Sequence, residues 1–215
     1  MISVLTATHN HAPFLREAVL SVRRQGFRAW EHIIIDDGST DDTPRVLAGL
    51  GLEQAQGRVQ RTANRGQTAA LNLGLSLARG RWVAFLDADD AYLPDHLEHL
   101  LETLGERDLA LGRFKLVNCS DDPRPVVPDF YRPGHEIEVE KIESCTGLLF
   151  GLTEVFLRLG GFRAVPSSDT DLFNRATAAG CTWSRAERAT YLYYFGRVPD
   201  HMALKELLAY RSSRG

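Results

Sequence analysis

Apolar residues in the first hundred positions fall into two alternating kinds of run. Short β-rich stretches at Ile2–Leu5, His32–Ile35 and Trp82–Leu86, with a weaker one at Val59–Thr62, predict strands. Between them the apolar positions recur at helical spacing. Phe14, Ala18 and Val22 follow Pro13 and stop at Gly26; Thr43–Leu50 reads as a short helix; Thr68–Arg79 ends at Gly80. In Pro94–Leu104, residues Leu97, Leu100, Leu101 and Leu104 form one stripe, with Gly105 just past the end. Strict alternation of strand and helix predicts an α/β fold with a mostly parallel central sheet flanked by helices, in which ligands gather at the carboxyl ends of the strands.

From about residue 108 the pattern changes. Leu109–Val117, Val126–Tyr131, Ile137–Ile142 and Tyr191–Phe195 read as strands, and Thr153–Leu159, Asp171–Ala179 and Ala203–Tyr210 as helices, without regular alternation. The expectation is one domain over residues 1–215, with a ligand-binding half at 1–107 and a mixed second half at 108–215. The Pro-rich stretch Asp122–Pro133 reads as a loop-like insertion.

Composition narrows the function classes. With 44% hydrophobic and 25% charged residues the chain can build a sizeable core. Its net charge of −3 disfavours a general nucleic-acid binder. Cys119, Cys145 and Cys181 form no CxxC pair, which argues against a disulfide framework or a cysteine-built zinc site and suits a reducing, cytoplasmic setting. No apolar run approaches the roughly 20 residues of a membrane span, so neither a transmembrane segment nor a signal peptide is expected. The basic positions Arg197, Lys205, Arg211 and Arg214 allow peripheral contact with anionic lipid, or a solvated helix.

Three polar strings follow predicted strands: Thr8-His9-Asn10, Asp36-Asp37-Gly38-Ser39 and Asp87-Ala88-Asp89-Asp90. Parallel strands would bring them to one edge. On an extended segment Asp87 and Asp89 point the same way, and two such anions suit a hard cation ligated by oxygen, Mg²⁺ or Mn²⁺, with positions left for a phosphorylated ligand. The plainer reading of the third string is a solvated acidic turn before the helix near Pro94. A carboxylate at Asp36-Asp37 suits a ligand with a ring N–H donor, although acidic residues plus Gly are also ordinary turn chemistry. Neither glycine-rich phosphate-binding fingerprint is present, which disfavours dinucleotide-binding and P-loop enzymes.

Taken in order, the strings Thr8-His9-Asn10, Ile34-Ile35-Asp36-Asp37-Gly38-Ser39-Thr40-Asp41, Asn64-Arg65-Gly66-Gln67 with Leu71-Asn72, Phe85-Leu86-Asp87-Ala88-Asp89-Asp90 and Gly160-Gly161-Phe162 resemble the family 2 glycosyltransferases. That resemblance implies the GT-A fold, which binds nucleotide sugars, and a metal-dependent transfer of a sugar from a nucleotide diphosphate donor, UDP-linked by preference, to an acceptor hydroxyl with inversion. It implies that Asp37 binds the base, that Thr8 and His9 line its pocket, that Arg65 approaches the nucleotide, that Asp87 contacts ribose or sugar, and that Asp89 holds Mn²⁺ or Mg²⁺. Ser168-Asp169-Thr170-Asp171-Leu172 is similar to the family's Glu-Asp-x-Asp-Leu segment, which makes Asp169 the expected general base, with Ser168 in place of Glu. The same residues also read as a capping box. His201 is a further candidate metal ligand on the same resemblance.

The chain departs from the family where Ala7 stands for Pro and His9 for Tyr or Phe. The alternative reading is therefore a nucleotide-sugar-binding module without turnover. The acceptor is left open as a carbohydrate, lipid-linked or other hydroxyl, and the expected location is the cytoplasm or its membrane face.

Overall fold

The computed structural model describes residues 1–52, 56–119, 126–128, 136–138, 148–165 and 167–197. Its centre is a seven-stranded sheet made of β1 (Ile2–Thr8), β2 (Trp30–Asp37), β3 (Gly57–Thr62), β4 (Trp82–Phe85), β6 (Leu109–Leu111), β10 (Leu149–Leu152) and β11 (Trp183–Arg185), in the order β11-β6-β10-β4-β1-β2-β3. β1 pairs in parallel with both β2 and β4, β2 with β3, and β6 with β11. Only β10 runs the other way, between β4 and β6. Strands from both halves of the sequence thus share one sheet, mainly parallel as the alternation predicts.

Burial on both faces explains the continuous apolar runs. Leu5, Ile33, Ile35, Val83 and Phe85 pack on one face with α3 (Gln67–Leu77), α5 (Thr153–Arg158) and α6 (Ser168–Ala178). Ile2, Val4, Ala84 and Ile34 point to the opposite face, against residues of α1 (Ala12–Arg23), α2 (Thr43–Gly49) and α4 (His96–Leu104). Each such buried Ile or Leu stabilises the fold by about 1.5–3 kcal/mol.

Two expectations change. Leu109–Val117 is not one strand: the chain leaves the main sheet after Leu111, and β7 (Phe114–Asn118) joins a small sheet of order β5-β12-β7, with β5 (Ala91–Tyr92) and β12 (Tyr191–Phe195). β10 and β11 had no strand prediction. Of the remaining expected strands, Val126–Pro128 and Glu136–Glu138 form an antiparallel pair, β8 and β9. The rest of 120–147, with most of the Asp122–Pro133 insertion, and the helix expected at Ala203–Tyr210 lie outside the described residues.

The sheet order reverses beside β1. From there β2 and β3 extend one way and β4 lies on the other side, so the carboxyl ends of β1, β2 and β4 flank a switch point of the kind at which open α/β sheets bind ligands. The acidic string leaves β4 at this point and enters β5 of the small sheet, suspended between two sheets.

Candidate functional site

The first two polar strings are bound to each other. Asn10, at φ 59°, turns its side-chain oxygen to accept the Thr40 N–H at 2.8 Å and the Asp41 N–H at 3.2 Å, while its own N–H donates to Ser39 Oγ at 3.0 Å. Asp36 Oδ1 accepts from the Ser39 N–H at 2.9 Å. His9 Nδ1 lies 2.9 Å from the Asp37 carbonyl, which can only accept, so the proton sits on Nδ1 and Nε2 faces the Asn10 and Asn64 amides, each at 3.2 Å. The half-buried imidazole is thus fixed through both ring nitrogens. The preceding Thr8 is buried, and its Oγ1 has no hydrogen-bond partner among the described residues.

Asp37 closes the third wall. It is buried, and its carboxylate accepts the Arg65 N–H at 2.9 Å and the Gly66 N–H at 2.8 Å. Gly38 is required beside it: φ is +72°, and a Cβ would meet Asn64 N at 2.7 Å. The structure therefore gives Asp37 an architectural task, fastening the loop from β3 to α3 over the edge of the sheet. It places the Arg65 backbone, rather than its exposed guanidinium, in that clasp.

The acidic string is a turn and not the extended segment that the sequence suggested, since Asp90 N–H donates to Asp87 O at 3.1 Å. The i, i+2 argument therefore does not apply, yet the carboxylates do converge. Burial, then the charges of Asp89 and Asp169, raise the Asp87 carboxyl to about 7, against a Tyr191 hydrogen bond that lowers it. Asp169, half-buried on the first turn of α6, comes from the other half of the sequence, and burial raises its carboxyl too. The expected capping box is absent: Ser167 occupies the cap in a left-handed conformation without a side-chain bond, and Ser168 is the first helical residue.

Nor is the string a solvated turn. Asp90 is buried and accepts from the Tyr191 hydroxyl at 2.7 Å and the Tyr194 N–H at 2.8 Å; its carboxyl is raised well above the usual range, first by burial and then by Asp89 and Asp87. Gln67 Nε2 reaches Asp87 Oδ1 at 3.3 Å. Asp90, Tyr191 and Gln67 carry no assigned role in the sequence; the signals for them were the run of three carboxylates in four positions, the Tyr-rich late strand and the string Asn64-Arg65-Gly66-Gln67.

Arg197 is not a solvated charge, and Lys205, Arg211 and Arg214 lie outside the described residues. Arg197 pairs with Glu17 at 2.9 Å and has 16% of its side chain exposed. Trp183 lies at the amino end of β11, edge-on to Phe173 with ring centroids 5.1 Å apart, away from the strand ends that carry the carboxylates. His201 lies outside the described residues.

Among the described residues no group of three or more His, Cys, Asp or Glu side chains could hold a metal ion by itself, so a divalent cation here would depend on ligand oxygens and on residues outside the described ones. Asp87, raised to about 7 chiefly by burial, also lies in the fields of Asp89 and Asp169, and an ion bound by oxygen would offset that repulsion. Among the described residues no helix is long and apolar enough to cross a membrane.

Residues 3–165 match the model of Glycosyl transferase family 2. An uncharacterized glycosyltransferase of Nostoc sp. is 40% identical over 110 residues, half of this chain and 34% of its own length. Among solved structures, S. aureus TarS 1–349 in complex with UDP-GlcNAc superposes with a TM-score of 0.73 at 21% identity, over 94% of this chain and 60% of that one. The mannosyltransferase PcManGT of Pyrobaculum calidifontis in complex with GDP-Man and Mn²⁺ gives 0.73 at 22% identity, over 100% of this chain and 64% of that one. The chain thus spans 18% to 53% of the length of these and similar curated relatives, and the two structures share its fold.

Proposed function

The chain belongs to glycosyl transferase family 2, and on that premise we propose that it transfers a sugar from a nucleoside diphosphate donor to an acceptor hydroxyl, with inversion at the anomeric carbon. The observation that carries this reading is the field of Asp89 and Asp169 at Asp87, near the switch point where His9 binds the Asp37 carbonyl: four carboxylates from three segments. Complexes of the two structural neighbours with UDP-GlcNAc and with GDP-Man support a nucleotide-sugar donor.

In this reading the base lies by His9, between Thr8 and the Asp37 loop; the Asp37 carboxylate, beside the Arg65 and Gly66 N–H groups that it accepts, suits a base with a ring N–H, and UDP is the preferred donor on the family resemblance. Arg65 stands at the rim, where its fork suits phosphate oxygens. Asp87, steadied by Gln67 and Tyr191, contacts ribose or sugar. Asp89 would hold Mn²⁺ or Mg²⁺, with His201 as a further candidate ligand; such an ion, when bound, neutralises charge developing on the departing diphosphate.

Asp169 takes the proton of the acceptor hydroxyl. The acceptor oxygen forms its bond to the anomeric carbon as the bond from that carbon to the diphosphate oxygen breaks, and the electron pair leaves with the diphosphate. Burial raises the Asp169 carboxyl toward the working pH, which strengthens it as a base.

The test is release of nucleoside diphosphate from UDP-GlcNAc and GDP-mannose in Mn²⁺, with water as the slow acceptor. Wild type should release one of them, and Asp169→Asn should be slower by about 10²–10⁴-fold, the usual range for a lost general base. Binding of a nucleotide sugar without release by the wild type would leave a binding module in place of an enzyme.

A further inference from the structure

Arg197 sits where three elements meet. Its Nη1 donates to the carbonyl of Asp89 at 3.0 Å, its Nη2 to Glu17 Oε2 on α1 at 2.9 Å, and its guanidinium lies over the Tyr194 ring at 3.6 Å and the Phe14 ring at 5.3 Å. Glu17 Oε1 also accepts the Tyr194 hydroxyl at 2.8 Å. One step inward, Tyr194 N–H binds Asp90. A charged fork, a carboxylate and an aromatic face therefore tie the end of β12 and the start of α1 to the middle of the acidic turn.

We propose that Arg197 is a positioning residue for Asp89. The inference rests on the functional reading above and adds to it a residue that acts through another. The guanidinium takes the carbonyl of Asp89 rather than its carboxylate. The bond fixes the peptide plane from which that carboxylate projects, in a turn whose backbone is also held by the bond from Asp90 N–H to Asp87 O and by the bond from Asp87 N–H to the Tyr191 hydroxyl. Arginine suits the task because its planar fork serves two acceptors at once while stacking on Tyr194; a lysine ammonium supplies one point charge without the plane. Glu17 balances the guanidinium and sets its direction.

The test is calorimetric titration of UDP and of GDP into wild type, Arg197→Met, Arg197→Lys and Glu17→Gln, each in excess EDTA and in Mn²⁺. Wild type should bind one nucleotide more tightly in Mn²⁺. Arg197→Met should lose about tenfold of that gain, the worth of one charge-assisted hydrogen bond, with metal-free affinity unchanged. Arg197→Lys should recover part of the loss, and Glu17→Gln should lose less than Arg197→Met; Glu17→Gln carries the test alone if Arg197→Met does not fold. A full Mn²⁺ gain in Arg197→Met, or in a lone Glu17→Gln, overturns the proposal. So does an equal fall in metal-free affinity, which would mean that Arg197 touches the nucleotide itself. A wild type that binds neither nucleotide in either condition would remove the functional reading and this inference with it.

Discussion

The Tyr191 hydroxyl donates to Asp90 Oδ2 at 2.7 Å across 101 positions of sequence and receives the Asp87 N–H at 3.3 Å. One phenol thereby fastens both ends of the acidic turn to the late strand. Removing it in Tyr191→Phe keeps the ring in the core and leaves a buried carboxyl short of a donor, at a cost of about 1–3 kcal/mol. For a chain of this size that lowers the thermal midpoint by about 2–4 °C per kcal/mol, read by circular dichroism melts. An unchanged midpoint would mean that β5 and β12 hold the turn without the phenol.

Gly161 lies where the second half of the sequence meets Asn72 of the first. Its φ is +68°, and a Cβ there would stand 2.2 Å from Asn72 Oδ1, the atom that accepts the Phe162 N–H at 2.8 Å while Asn72 Nδ2 donates to the Phe162 carbonyl at 2.8 Å. Gly161→Ala should cost at least about 1–3 kcal/mol from the left-handed backbone alone. Because the methyl also evicts the Asn72 amide, the double variant with Asn72→Ala should lose less than the sum of the singles in denaturant titrations. Additive losses would show the two to be independent.

Two buried imidazoles set the acid limit of stability. Burial chiefly holds His32 and His96 neutral, each lowered from 6.5 to about 3, with Arg23 adding to the effect at His32 and His99 at His96, where Asp95 opposes it. The unfolded chain binds their protons first. Their contribution is therefore complete above about pH 6.5 and is lost as pH falls toward 3, by up to about 1.4 kcal/mol per pH unit for each. His96→Phe keeps a ring against Tyr92, now 4.0 Å from the imidazole centroid, and removes one titrating group. Its unfolding free energy should decline less steeply than wild type between pH 6 and 4 by about that slope. Asp87 works in the opposite sense as pH rises through about 7, but it does so in both proteins and cancels in the difference. Parallel acid limbs would contradict the assignment to His96.

Much of the first half was legible because its strands are buried on both faces: Ile33, Ile34 and Ile35 form an unbroken run only where two layers of helix cover one sheet. The clustering of the polar strings followed from parallel strands, without knowledge of the loops. Leu149–Leu152 was not legible, since four apolar residues leading straight into the apolar helix at Thr153 have no period of their own. The split at Gly112-Arg113 was hidden for a different reason: alternation says which face a residue takes but not which sheet its strand joins. The same limit hid Tyr191 and Arg197, whose partners Asp90, Asp89 and Glu17 are set by the pairing of β12 with β5. Asp169 came from resemblance, and its field at Asp87 is a property of the assembled halves.

In the proposed function Asp37 and Asp89 serve one nucleotide-sugar site through different chemistry, base and metal. The decisive measurement is calorimetric titration of UDP and of GDP, with and without Mn²⁺, into wild type, Asp37→Asn and Asp89→Asn. Wild type should bind one nucleotide with a Mn²⁺-dependent gain, Asp89→Asn should keep the metal-free affinity and lose the gain, and Asp37→Asn should weaken both. Mn²⁺-independent binding in the wild type, or an Asp89→Asn variant that keeps the full gain, would contradict that proposal.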